Sequence, residues 1–149
     1  TLLRPEIDEW EPGEHNGTFR GHNPAFVTAT AALREFWSND TLRDSVAAKT
    51  DDVEGTLLSI AGTTPGADTR GRGFAQGLVF DDPAVADAVC RTAFDHGLLL
   101  ETSGPDGEVV KFMAPLTISE DVLSEGLDIL TASVARTTGT GSDRRSVAS

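Results

Sequence analysis

A short glycine-rich segment near the start of the chain has the composition of an anion-binding loop. It reads Glu14-His15-Asn16-Gly17-Thr18-Phe19-Arg20-Gly21, and a helix start signal, Asn23-Pro24, follows it. Glycines leave backbone N–H groups accessible and the Thr18 hydroxyl adds another donor, so the segment suits a phosphate dianion. On spacing alone, a surface turn with polar residues is the more common interpretation, because short glycine-rich loops are frequent.

Two further positively charged segments could bind an anion. The run Arg70-Gly71-Arg72-Gly73 precedes an apolar stretch and is typical of a solvated turn that leads into a sheet. Lys111 lies within Val109-Val110-Lys111-Phe112-Met113, where a cation needs either a partner or a water-exposed face. Composition favours the outward position of an alternating strand for Lys111, and the alternative is a carboxylate anchor at the rim of a site.

The remaining reactive side chains match no established constellation. The spacing of His15, His22 and His96 with Cys90 fits no metal template, and Cys90 is expected to be a core thiol inside a helix. The sequence has no Gly-x-Ser-x-Gly motif and no ordered Ser/His/Asp set. No pair of carboxylates stands out as a general acid and base, so neither a catalytic residue nor a metal site is predicted.

The first part of the chain is predicted to be a loop followed by two helices that position these residues. The loop covers residues 5–22, and the first helix has Asn23 as its N-cap and Pro24 at its first position. The second helix begins near Asn39 or Asp40 and ends at Gly62. The apolar positions at helical spacing are Phe26, Ala29, Leu33, Phe36 and Trp37 in the first helix, and Leu42, Val46, Val53, Leu57 and Ile60 in the second.

The second part is predicted to alternate strands and helices after a loop at residues 63–72. Strands are expected at 73–80, 98–101 and 108–113, and a turn is expected at 103–107. The intervening helix starts at Asp82-Pro83 and ends at Gly97, and a last helix follows a capping box of Thr117 and Glu120. The inward positions are Val85, Val89 and Phe94 in the former and Leu123, Leu127, Leu130 and Val134 in the latter. Three strands with helices on one face form a small α+β domain, or the end of a larger α/β enzyme.

Composition limits the partners of the chain. Its 149 residues carry a formal net charge of −12, which argues against binding to nucleic acid or to anionic lipid. The apolar runs are too short to cross a membrane, and a single cysteine excludes an intrachain disulfide framework. The N-terminus has no signal-peptide pattern and no initiator Met. A soluble, cytoplasmic protein is expected, represented here by a fragment.

Several segments, in their order and spacing, resemble the class III, pyridoxal-phosphate-dependent aminotransferases. The segment 15–25 is similar to the family sequence His-Gly-Ser-Thr-Phe-Gly-Gly-Asn-Pro-Leu-Ala, and 70–77 looks like the strand Arg-Gly-x-Gly-Leu-x-x-Gly. The segments 97–100 and 111–116 look like the signature Gly-Leu-Leu followed by Arg-x-x-Pro-Pro-Leu. The segments 10–21 and 101–104 are similar to the diaminobutyrate transaminases of ectoine synthesis, a subgroup of that family.

The resemblance implies an α/β fold, that of the fold type I transferases. Residues 1–22 would be the end of the large cofactor-binding domain and its cofactor loop, 23–136 the helices and small C-terminal domain, and 137–149 a flexible tail. Thr18 matches the family threonine whose hydroxyl and backbone amide reach the pyridoxal 5'-phosphate phosphate group across a dimer interface, and Gly17 would permit the close approach. Lys111 falls where many relatives have an arginine that holds the substrate's α-carboxylate. Lysine supplies a point charge there without the bidentate fork.

The resemblance also implies an activity and its partners. The intact protein would transfer an amino group from glutamate to aspartate 4-semialdehyde, as a homodimer or higher homo-oligomer with amino acid and 2-oxo acid substrates. The family reaction needs a lysine that binds the cofactor covalently. The sequence has only Lys49 and Lys111, and neither lies in the family's lysine motif. The 149 residues alone are therefore expected to be inactive. The alternatives are a class III transaminase for another ω-amino substrate and a non-catalytic truncated domain.

Overall fold

The computed structural model describes residues 4–14 and 16–139, which divide into two units, Thr1–Asn39 and Asp40–Ser149. The first unit holds a 3-10 helix, Pro5–Ile7, and α1, Asn23–Phe36. The second unit holds the remaining elements, which are α2 (Thr41–Thr63), β1 (Ala67–Arg72), β2 (Ala75–Phe80), α3 (Pro83–Asp95), β3 (Glu101–Ser103), β4 (Val109–Phe112) and α4 (Glu120–Thr138).

Helix α1 begins one residue earlier than predicted. Its N-cap is His22 rather than Asn23, and no side chain caps the first turn. Pro24 still lies in the first turn, where its fixed backbone angle suits a helix and its missing N–H costs no hydrogen bond. The apolar side chains at helical spacing form the predicted stripe, but within the first unit they remain exposed, for example Phe26 at 58% and Leu33 at 62%.

The second unit is built on a four-stranded antiparallel sheet in the order β1-β2-β4-β3. The prediction of three strands was wrong, because residues 67–72 form an edge strand where a loop was expected. Edge strands need little apolar character, since one side of the backbone and much of the surface stay in water. The predicted strand at 98–101 is also displaced, because β3 starts only at Glu101.

The three helices of this unit cover the sheet face that carries Leu78, Phe80, Val110 and Phe112. The predicted stripes of α2 and α4 supply the other side of the core, with Val53, Leu57, Leu127 and Leu130 among the most deeply buried residues. The prediction that Gly62 ends α2 was wrong, because the helix continues to Thr63. At one helical turn per 3.6 residues, the α4 stripe places an apolar side chain in the core at successive turns, whereas in α2 the buried residue between Val46 and Val53 is Lys49.

Helix α3 buries only part of the predicted stripe, because Val85 and Val89 pack into or against the core and the prediction for Phe94 was wrong. Ala86, Val89 and Ala93 are fully buried, whereas Phe94 is 66% exposed. Successive helical residues are rotated by about 100°, so the position after buried Ala93 turns away from the sheet. The start of the helix agrees with the prediction, because the side chain of Asp82 accepts a hydrogen bond from the Ala84 N–H at 2.9 Å.

Helix α4 starts and ends differently from the prediction. Its N-cap is Ser119, which makes no side-chain capping bond, so the predicted capping box of Thr117 and Glu120 was wrong. The helix continues to Thr138, two residues into the predicted tail, and Gly139 ends it with a φ of +71°. The rest of that tail lies outside the described residues. In the part of the chain that the structure describes, no helix combines the length and apolar character needed to span a bilayer.

Candidate functional site

The predicted phosphate loop lies directly before α1 in the first unit. The Arg20 N–H donates to the Gly17 carbonyl at 3.1 Å, and the His22 N–H donates to the Phe19 carbonyl at 3.2 Å. These two bonds close consecutive turns that lead into the helix. Gly17 and Thr18 are both exposed, so the Thr18 hydroxyl is accessible to a ligand.

The side chains around this loop suit an anionic group. The guanidinium carbon of Arg20 lies 5.8 Å from the centroid of the Trp10 ring, which holds a positive charge beside the turn. A Cβ atom added to Gly17 would lie 3.1 Å from Cγ of Arg20, so glycine keeps this turn uncrowded. A hydroxyl, backbone N–H groups and a cation within a few residues form a donor set that fits a phosphate. His15, at the start of the segment, lies outside the described residues.

Lys111 occupies the sheet face opposite the helices. Its neighbours Val110 and Phe112 are buried in the core, while its own side chain is partly exposed on the other face. The strand alternation predicted for this position is therefore confirmed. The contact of Lys111 with a substrate carboxylate stays a prediction.

A row of four residues crosses this outer face, namely Arg70, Gly77, Lys111 and Glu101. Residues that face each other across a sheet have their side chains on the same side. The Lys111 Nζ donates to Oε2 of Glu101 at 2.8 Å. Gly77 has no side chain, so an open groove of about 290 Å³ lies between Arg70 and Lys111.

The Glu101 carboxylate is ionised more readily because of this lysine. The hydrogen bond from Lys111, and then its positive charge, lower the pKa of Glu101 from its usual value. The sequence alone did not predict that Glu101 and Lys111 are partners. Glu101 lies opposite Lys111 because β3 and β4 pair in the register that sets Ser103 opposite Val109, and local composition does not specify that register.

The Arg70-Gly71-Arg72-Gly73 segment is not the solvated turn that was predicted. Its first three residues belong to β1, and only Gly73 lies in the turn to β2. The Arg70 guanidinium lies 4.0 Å from the Glu108 carboxylate, at the limit of an ion pair. Gly71 has a φ of +106°, and a Cβ there would lie 2.1 Å from the Ala75 carbonyl oxygen. The glycine is thus required by close approach of the two strands.

His96 and Cys90 have structural partners. Within the described residues, no group of His, Cys, Asp or Glu side chains is arranged to hold a metal ion. The ring of His96 contacts the Thr92 carbonyl through Nδ1 and Arg136 through Nε2. Cys90 is half-buried and packs against the core, as expected. Burial raises the pKa of its thiol, and the nearby Asp87 carboxylate raises it further.

Lys49 is a buried residue with a structural hydrogen bond. It is only 6% exposed in α2, and its Nζ donates to the Ile118 carbonyl at 2.7 Å. Both lysines of the sequence are therefore engaged, Lys49 with the backbone carbonyl of Ile118 and Lys111 with Glu101.

The sequence is closely related to curated transaminases. It is 54% identical over 133 residues to the diaminobutyrate–2-oxoglutarate transaminase of Nocardia farcinica, covering 89% of this chain and 30% of that protein. The chain thus spans about a third of the length of the curated relatives it matches.

Solved structures share the fold. The acetylornithine aminotransferase of Elizabethkingia anophelis matches 85% of this chain and 33% of its own, with a TM-score of 0.67 and 23% identity. A PLP-bound mutant aminotransferase from Vibrio fluvialis matches 68% of this chain and 24% of its own, with a TM-score of 0.59 and 23% identity. A sequence profile of the family described as aminotransferase class-III matches residues 4–134. The chain therefore belongs to the class III aminotransferase family.

Proposed function

We propose that this chain is the C-terminal part of a diaminobutyrate–2-oxoglutarate transaminase subunit. The observation that carries the proposal is the 54% identity to a curated enzyme of that name, which extends over 89% of the chain. The intact enzyme would transfer an amino group from glutamate to aspartate 4-semialdehyde, giving 2-oxoglutarate and 2,4-diaminobutyrate. This reaction belongs to ectoine biosynthesis, and we place the enzyme in the cytoplasm.

The chain would contribute residues 1–22 to the cofactor-binding domain and residues 23–136 to the helices and the small domain. Pyridoxal phosphate, when bound, supplies the electron sink of the transfer. The Thr18 hydroxyl and backbone N–H groups freed by Gly17 would hold its phosphate. Lys111 would hold a substrate carboxylate at the edge of the site by its positive charge.

The exposed apolar stripe of α1 supports a larger assembly. Phe26, Val27, Leu33 and Trp37 are each more than half exposed within the first unit. Contiguous exposed apolar residues of this size mark a surface that another part of the protein covers. We propose that the remainder of the subunit and a second subunit of a homodimer cover it.

The engagement of both lysines supports inactivity of the 149 residues alone. Lys49 is buried against the Ile118 carbonyl and Lys111 is paired with Glu101, so neither is placed to act as the covalent lysine. The same observation favours a second candidate, a non-catalytic domain that results from truncation. A transaminase for another ω-amino substrate is the further alternative, because the family supports several such substrates.

The test uses a complete subunit that carries these residues at its C-terminal end. Incubation with glutamate and aspartate 4-semialdehyde should release 2-oxoglutarate, whereas the 149-residue chain with added pyridoxal phosphate should release none. No product from the complete subunit, or preference for another amino acceptor, would contradict the assignment. The loop is tested separately by cofactor affinity in equilibrium dialysis. Thr18→Val should weaken binding by about tenfold or more, and Thr18→Ser should retain it.

A further inference from the structure

We infer that Glu101 and Lys111 together form a two-point site for the α-ammonium and α-carboxylate of an amino acid whose opposite end reacts. The inference rests on the proposed function and adds to it a residue, Glu101, and a basis for substrate selection. A carboxylate anchor alone would need only Lys111. The structure provides an anion and a cation side by side, and this matches the charge pattern of an amino acid zwitterion.

The backbone fixes the spacing of the two groups. Glu101 on β3 and Lys111 on β4 are direct partners in the antiparallel register, and their side chains meet at 2.8 Å on the outer face. An incoming zwitterion would place its carboxylate beside the Lys111 ammonium and its ammonium beside the Glu101 carboxylate. The lysine has three donors and the glutamate has two acceptor oxygens, so each can keep its partner while binding the ligand.

The ion pair is accessible and inexpensive to rearrange. The Glu101 side chain is 70% exposed and that of Lys111 is 35% exposed. Exposed ion pairs of this kind contribute little to folding stability, because water competes for both groups and screens their charges. Small rotations that admit a ligand therefore cost the fold little.

Apolar side chains surround the pair on one side. Leu99, Leu100 and Met113 line a cavity of about 300 Å³ together with Glu101 and Lys111. Leu99 is 77% exposed and Met113 is 65% exposed within this unit. Small-molecule sites commonly combine an apolar lining with a few polar groups that fix orientation. Here the lining would contact the methylene groups of the substrate and the ion pair would bind its charged end.

This arrangement predicts which substrates are selected. Aspartate 4-semialdehyde and 2,4-diaminobutyrate carry both an α-ammonium and an α-carboxylate at the end that does not react. The compound 4-aminobutyrate equals 2,4-diaminobutyrate without the α-ammonium, and 1,3-diaminopropane equals it without the α-carboxylate. The pair should therefore favour 2,4-diaminobutyrate over both analogues, through Glu101 in the first comparison and through Lys111 in the second.

The experiment measures selectivity ratios in the complete subunit. Glu101→Gln should lower the kcat/KM ratio of 2,4-diaminobutyrate to 4-aminobutyrate by roughly ten- to hundredfold, the range expected for loss of one charged hydrogen bond. Lys111→Gln should lower the ratio of 2,4-diaminobutyrate to 1,3-diaminopropane by a similar factor. Glu108→Gln is the control, because Glu108 immediately precedes β4, the strand of Lys111, but does not belong to the Glu101–Lys111 ion pair. This variant should leave both ratios unchanged.

A binding measurement separates this inference from the proposed function. Calorimetric titration of the cofactor-free subunit with 2,4-diaminobutyrate and 4-aminobutyrate should show the same loss of discrimination in Glu101→Gln, whether or not the protein turns over. If Glu101→Gln changes kcat/KM for both compounds by one common factor, Glu101 only orients Lys111 and the two-point site is wrong. If the wild-type subunit transaminates neither compound yet still discriminates between them in binding, the proposed function fails while the site stands.

Discussion

The Nζ atom of Lys49 donates a hydrogen bond to the carbonyl of Ile118 across 2.7 Å, although the two residues lie 69 positions apart in sequence. The bond joins α2 to the segment between β4 and α4. Lys49 is buried and Ile118 is half-buried, so this backbone carbonyl receives its hydrogen bond from a side chain in a part-buried position.

Replacement of Lys49 should therefore destabilise the chain. Lys49→Met keeps most of the aliphatic stem but removes the donor of a part-buried hydrogen bond, and the loss of such a bond costs about 1 kcal/mol or more. Urea denaturation of the 149-residue chain, followed by circular dichroism, measures the free energy of unfolding. Arg43→Met on the same helix removes an exposed cation and should change it by less than about 0.5 kcal/mol. Equal effects of the two variants would show that this hydrogen bond contributes nothing.

Adjacent leucines of α2 give a second test of the packing. Leu57 is fully buried and Leu58 is 53% exposed. Leu57→Ala should lower the free energy of unfolding by about 2–5 kcal/mol, because it removes buried apolar surface and leaves a cavity. Leu58→Ala should lower it by less than about 1 kcal/mol in the same denaturation experiment. The assigned face of the helix would be wrong if the order of these two effects were reversed.

The sequence predicted the helices of the second unit better than its strands, for a physical reason. The stripes of α2 and α4 recur at the helical period, so each predicted inward residue of α4 is buried. Strand β1 consists of Ala67-Asp68-Thr69-Arg70-Gly71-Arg72 and has almost no apolar signal. The conformation of β1 is set by its pairing with β2, and local composition does not predict which strands pair.

In the candidate site, too, features set by local sequence were predictable and features set by strand pairing were not. The outward position of Lys111 was predictable from the alternation of β4, whereas phosphate binding by Gly17 and Thr18 stays a prediction. The proximity of Glu101 to Lys111 was missed because it depends on the exact register of β3, which starts three residues later than predicted. A register error of one residue moves a side chain to the other face, so composition alone could not place the pair.

The hairpin of β1 and β2 should be sensitive to Gly71 and tolerant at Gly73. A Cβ at Gly71 would lie 2.1 Å from a backbone oxygen, whereas a Cβ at Gly73 meets nothing within 4 Å. Gly71→Ala should cost more than about 3 kcal/mol, because it adds a steric clash to the unfavourable φ of +106°. Gly73→Ala carries only a left-handed φ and should cost about 1–2 kcal/mol. Thermal unfolding of both variants makes the comparison, and similar melting temperatures would contradict the close strand approach.

Cys90 should react slowly with alkylating agents in the folded protein. Burial first, and then the charge of Asp87, raise the pKa of its thiol, so the reactive thiolate is scarce at neutral pH. Iodoacetamide modification at pH 7.5, followed by mass spectrometry, should be markedly faster in 6 M urea than in buffer. Because the pKa of the Cys90 thiol is raised in the folded state, the protonated thiol favours the fold. This contribution to stability is fully present below the unfolded pKa and is lost as the pH rises through the folded pKa. Equal rates in urea and buffer would show that Cys90 is not protected.

The Glu101 carboxylate should report the presence of Lys111 in a pH titration. Its pKa is lowered chiefly by the hydrogen bond from Lys111 and then by the lysine charge, so Lys111→Met should raise the pKa towards that of a free glutamate. Carbon-detected NMR of the side-chain carboxyl carbon measures the pKa of Glu101 in each variant. Lys111→Arg keeps the positive charge, so the Glu101 pKa should stay lowered in that variant. Because the folded-state pKa is depressed, the ion pair stabilises the fold above the unfolded pKa, and this contribution disappears as the pH falls through the folded pKa. A Glu101 pKa that is the same in wild type and Lys111→Met would mean that the two groups do not pair in solution, and the two-point site would lose its geometric basis.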